Sequence, residues 1–176
     1  MTQRQRLCIA FIVAGLSVPS ADALCMYHGS LYARTTVAQE FADSQWVVRV
    51  KVVASDNHWT DEDDSWTIYH LEVLTAFKGK PPTRIEMFTY RDSGGFYLDK
   101  GMASDPGGEY LLFLDPISRD ANAPVTARGA TEVNYSCGQS RPWNTLSRSE
   151  RQELVNIHKA AAGQGVQHNK DGSKLD

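Results

Sequence analysis

The chain has 176 residues, a formal net charge of −3, and 41% hydrophobic against 22% charged residues. These proportions exclude a disordered, collagenous or coiled-coil chain, and the length suits one well-packed domain rather than two. The mildly acidic balance offers no electrostatic basis for nucleic-acid binding, so no nucleic-acid partner is expected.

Residues 1–23 read as a secretory signal peptide. Arg4 and Arg6 supply a positive start, Leu7 to Leu16 an apolar run broken only by Gly15, and Ala21-Asp22-Ala23 an A-x-A cleavage site. That run is about half of the ~20 apolar residues a spanning helix needs, and no second run follows. A secreted or periplasmic, monomeric protein that does not span the membrane is therefore expected. Leu24 stands where lipidation of Cys25 would want a small residue. Cleavage after Ala23 also removes Cys8, leaving Cys25 and Cys137, which an oxidising compartment can join in only one way. The bridge would close a loop of roughly 110 residues, worth about 4 kcal/mol in the chain-entropy model.

Residues 35–44 predict a short helix capped by Thr35 or Thr36, with Val37 and Phe41 on one face. Residues 46–55 predict a strand, with Val48, Val50 and Val52 alternating against Arg49 and Lys51. Asp56 to Ser65 reads as a polar loop, and residues 66–77 as a second strand in which Tyr69, Leu71 and Val73 share a face. After the Gly79-Lys80-Pro81-Pro82 turn, Ile85 to Tyr90 is a third strand. Arg91 to Gly108 reads as a mobile irregular loop. Glu109 to Leu114, apolar on both faces, reads as a central strand. Val125–Ala130 and Glu132–Cys137 supply a last strand or hairpin. Ser147-Arg148-Ser149-Glu150 is a capping box that opens a helix carrying Leu154, Ile157, His158 and Ala161 at helical spacing. Gly163 is expected to end it. The expected organisation is a signal peptide over 1–23, one domain over 24–163 and a disordered tail over 164–176. Five strands with flanking helices point to a mainly β fold, a small antiparallel closed barrel with a C-terminal helix.

The order of these pieces carries more than any one of them. Cys25 follows the signal segment. Phe41-Ala42-Asp43-Ser44-Gln45-Trp46 leads a helix into a strand, and Leu71 to Gly79 ends the next strand as Thr-Ala-Phe-Lys-Gly. Gly108-Glu109-Tyr110-Leu111-Leu112-Phe113 and then Tyr135-Ser136-Cys137-Gly138 come after. Over about residues 25–145 this succession resembles the netrin-like domain of bacterial exported proteins, the OB-type barrel shared with tissue inhibitors of metalloproteinases. The resemblance implies a protein-binding module whose partner is another exported protein. In its most specific form it implies a metalloproteinase inhibitor, in which the amine and carbonyl of an N-terminal cysteine displace the zinc-bound water. The chain departs from that pattern: Leu24 precedes Cys25, Met26-Tyr27 follow it, and Asp92-Ser93-Gly94-Gly95 has no cysteine. The departures leave the fold expectation standing and weigh against zinc chelation.

Two segments are candidate binding surfaces. Cys25, Met26, Tyr27 and His28 would form the partner-facing ridge by resemblance; the plainer reading has them pinned by Cys25–Cys137, with Met26 and Tyr27 packed on the barrel. Trp59 and Trp66 bracket Asp61-Glu62-Asp63-Asp64, an aromatic and acidic combination suited to a protein contact. The plainer reading of that segment is a solvated hairpin tip. The four acids lack the spacing of a calcium loop, the five histidines form no short-range ligand pair, and no phosphate loop or nucleophile elbow occurs. No metal, cofactor or enzymatic activity is therefore expected. A non-inhibitory envelope-binding protein is the alternative, and a small exported enzyme the third reading.

Overall fold

The computed structural model describes residues 25–60, 65–92, 94–116 and 123–171. The expected signal peptide, Leu24 and Asp61–Asp64 lie outside them. Alternating branched and aromatic residues build the main sheet. In chain order the elements are β1 (Met26–Tyr27), β2 (Ser30–Leu31), α1 (Val37–Asp43), β3 (Trp46–Trp59), β4 (Ser65–Lys78), β5 (Arg84–Tyr90), β6 (Asp99–Lys100), β7 (Ala103–Ser104), β8 (Glu109–Pro116), β9 (Thr131–Val133), β10 (Arg141–Pro142) and α2 (Arg148–Asp171). Six of these strands pair in the order β10-β8-β3-β4-β5-β9, and β9 pairs back onto β8. The result is a near-closed ring. Its pairings are antiparallel except for β5 with β9, which meet in parallel at the single pair Met87↔Thr131.

The period-two pattern divides the core into two layers. Val48, Val50 and Val52 of β3 face inward with Tyr69, Leu71, Leu112 and Leu114. Val47, Leu111 and Phe113 face outward, under Val37 and Phe41 of α1 and Leu154 of α2. β8 is apolar on both faces because one face lines the ring and the other carries the helices. Each such side chain withdrawn from water contributes on the order of 1.5–3 kcal/mol before entropy is charged against it.

The helix ends follow their local chemistry. Thr36 caps α1 in a complete capping box with Gln39. Ser147 and Glu150 do the same for α2, where Glu150 Oε2 accepts the Ser147 N–H at 2.8 Å and Ser147 Oγ accepts the Glu150 N–H at 3.3 Å. Trp143 holds the approach to α2, with the Arg49 and Arg151 guanidinium carbons 4.6 and 5.0 Å from its ring centroid.

Four sequence expectations are corrected. β3 and β4 run on to Trp59 and back to Ser65, so Asp56–Trp59 and Ser65 of the expected polar loop are ladder, with Asn57↔Thr67 and His58↔Trp66 in register. Polar side chains are tolerated there because an antiparallel arm can be wet on one face. Val125–Ala127 is a 3-10 turn rather than a strand: the Pro124 carbonyl accepts the Ala127 N–H at 2.9 Å, and Gly129 then turns the chain at φ 86°. The Arg91–Gly108 stretch is anchored, not loose. Leu98 is fully buried in the inner core, and Asp99 accepts from the Tyr69 hydroxyl at 2.6 Å and from Arg91 Nη1 at 2.5 Å. Finally, α2 continues past Gly163 to Asp171. One glycine costs a helix only about 1 kcal/mol, too little to stop it without a capping turn.

Candidate functional site

The N-terminal candidate is a two-residue hairpin. His28 and Gly29 take φ of 47° and 80°, the left-handed pair that matches the twist of antiparallel strands, and Met26 stands opposite Leu31. Cys25 is buried and joined to Cys137, with Cα atoms 6.0 Å apart. This is the pairing expected of Cys25 and Cys137. The Cys25 carbonyl oxygen accepts the Tyr32 N–H at 2.8 Å. The Tyr27 hydroxyl donates to Asp43 Oδ2, which also lies 3.0 Å from His28 Nε2. These two contacts, the Tyr27 bond first, hold the Asp43 carboxyl below its usual range, while burial and then Asp43 itself push the Tyr27 phenol up. The Tyr27 ring rests 5.1 Å from that of Tyr135. Tyr27 therefore packs as the plainer reading expected. Met26 does not: it is 59% exposed, beside the half-exposed Leu31 and Tyr32.

Behind the hairpin lies a group that sequence reading missed. Glu40 is fully buried. Its Oε1 accepts from the Thr35 hydroxyl and, at 2.8 Å, from the Gln139 N–H, while Oε2 has no hydrogen-bond partner among the described residues. Burial raises its carboxyl above the ordinary value of 4.5, against the pull of those two donors and of Arg141. A Cβ at Gly138 would run into this carboxylate, which is why Tyr135-Ser136-Cys137-Gly138 can close over α1.

The second candidate divides. Trp66 is only 8% exposed, stacks on His58 with ring centroids 5.3 Å apart, and donates from Nε1 to Thr126 Oγ1 at 3.2 Å. It belongs to a small core with Ile68 and Phe88, not to a contact surface. Trp66 lies on the face of β4 opposite Tyr69 and Leu71, and Ala127 and Ala130 complete the small cluster that covers it there. Trp59, at the end of β3, is 74% exposed. It shares a hollow of about 270 Å³ with Arg91 and with Met102, which is fully exposed.

A third grouping has no short-range sequence signal. Strand register sets His70 opposite Ala54 and Glu86, and its Nε2 lies 2.8 Å from Asp56 Oδ2 while Nδ1 lies 3.3 Å from Glu86 Oε1. Both ring nitrogens thus lie beside carboxylates. Because the two acids sit on opposite sides of the ring, they do not converge on one ion. No group of three His, Cys, Asp or Glu that could hold a metal occurs among the described residues. No described helix is long and apolar enough to cross a membrane. Neither a protein-family model nor a curated protein matches the chain.

Proposed function

We propose that the chain is an exported binding module, a netrin-like OB-type barrel stapled by Cys25–Cys137, that engages another exported protein through the surface around Trp59 and Met102. The observation that carries this reading is the exposure of Trp59 at the end of β3, one ladder step beyond the packed Trp66. An exposed tryptophan is the side chain most often found at the energetic centre of a protein contact. Methionine beside it supplies an adaptable apolar surface. Burying the ring in a partner would bring about 2–3 kcal/mol from area alone. The near-closed ring and the helix leading into β3 support the fold half of the reading.

Metalloproteinase inhibition through the N-terminal segment is the narrower form of the proposal, and the observations favour it less. Its chemistry needs the amine and carbonyl of Cys25 on zinc, yet Cys25 is buried and its carbonyl already accepts from Tyr32.

The test is capture from an exported-protein fraction by immobilised wild type and by the double variant Trp59→Ser with Met102→Ser. A protein retained by wild type and lost from the variant, with circular dichroism and melting unchanged, supports the reading. Retention indifferent to both substitutions overturns it.

A further inference from the structure

A groove of about 580 Å³ lies away from both candidate surfaces. It exists because β5 and β9 share only the pair Met87↔Thr131, so Arg84 and Ile85 have no β9 neighbour across the gap. The Thr131 hydroxyl donates to the Glu86 carbonyl oxygen at 2.8 Å and closes one end. Trp46, Leu71 and Ile85 line it with apolar surface. A register shift in β3 between Val52 and Ala54 leaves Val53 half-exposed on its wall.

Charge selects the occupant. Of the charged groups lining the groove, Glu86 is taken by His70, and His70 is held in turn by Asp56. Arg84 makes no ion pair or side-chain hydrogen bond among the described residues; Glu72, its cross-strand neighbour, is not bonded to it. An apolar trough ending in one unspent guanidinium suits a molecule with an apolar body and one planar anion, which the guanidinium grips with two parallel hydrogen bonds. A phosphate monoester would bring close to two charges against one cation, beside Glu86 and Asp56. We propose that this groove is a binding site for a small amphipathic monocarboxylate, its head on Arg84 and its body along Trp46, Leu71 and Ile85. The groove falls within the roughly 300–1,000 Å³ of ordinary small-molecule sites.

Calorimetric titration with octanoate, and with 1-octanol as the uncharged counterpart, tests it on the full chain. Saturable one-to-one octanoate binding is expected. Arg84→Gln should weaken it at least about tenfold while leaving octanol within about twofold, the loss of one charge-assisted pair. Val53→Trp, which fills the groove from an exposed wall, should abolish both. Arg84 and Val53 are exposed, so circular dichroism and melting should stay at wild-type values. Absence of saturable octanoate binding overturns the proposal. So does octanoate affinity that is unchanged by Arg84→Gln or that survives Val53→Trp. None of these outcomes touches the Trp59 surface, which stands or fails on its own capture test.

Discussion

Tyr32 donates its backbone N–H to the carbonyl oxygen of Cys25 at 2.8 Å, across the mouth of the N-terminal hairpin. The bond uses the oxygen that a zinc-chelating N-terminal cysteine would present. Tyr32 itself sits at φ 51°, an uncommon place for a bulky residue, so the hairpin is held in this shape at some backbone cost. A chain beginning at Cys25 is therefore expected to leave a zinc endopeptidase fully active at equimolar concentration. Residual hydrolysis of a quenched peptide measures this, and stoichiometric inhibition would show that the hairpin opens.

The Cys25–Cys137 bridge spans a sequence separation of 112 residues. Replacing both cysteines with serine should lower stability by about 2–4 kcal/mol, read from the urea midpoint. On the proposal of export, the intact mass of the mature chain should rise by two protons on reduction and correspond to a start at Leu24. No gain on reduction would remove the staple from the account.

Trp59 and Trp66 should behave oppositely on truncation. Trp66→Ala empties a site between His58, Ile68 and Phe88 and should cost about 3–5 kcal/mol. Trp59→Ala removes an exposed ring and should stay within about 0.5 kcal/mol. Equal losses in denaturant titration would mean that Trp59 is packed in solution, and would end its candidacy as a contact residue.

Glu40 gives stability a pH dependence whose sign follows from its raised carboxyl. The folded chain holds this proton more tightly than the unfolded chain, so the Glu40 contribution is fully present below about 4.5 and is lost as pH rises through the folded value. Asp43, Asp99 and Glu150 are shifted downward and act in the opposite sense, their contributions fading as pH falls below the ordinary carboxylate range. The difference between wild type and Glu40→Gln isolates the first effect. The urea midpoint of Glu40→Gln should gain on that of wild type from pH 4.5 to 8. Parallel curves would show that Glu40 is solvated.

Much of the fold could be read locally. The cap of α1, expected at Thr35 or Thr36 and found at Thr36, the capping box at Ser147, the alternation of Val48, Val50 and Val52, and the double-faced run of β8 depend on neighbours within a few residues. The Cys25–Cys137 pairing is expected from the sequence once residues 1–23 are read as a cleaved segment carrying Cys8 away, and the structure joins these two. Element ends were less legible. Asn57 and His58 look like loop residues until Thr67 and Trp66 are set beside them.

The candidate sites divide along the same line. That Trp59 and Trp66 are large aromatics beside acids is a property of the chain, but which one faces water depends on where the segment carrying Thr126, Ala127 and Ala130 packs, and it packs on Trp66. Register alone brings His70 between Asp56 and Glu86, residues far apart along the chain. The burial of Glu40 needs the Tyr135–Gln139 turn folded onto α1. Composition and periodicity thus determined the class of elements and their order, because short-range sterics and burial patterning act within a few residues. Strand register and the incomplete meeting of β5 with β9 decided which side chains share a surface, because those distances arise only when remote segments pack.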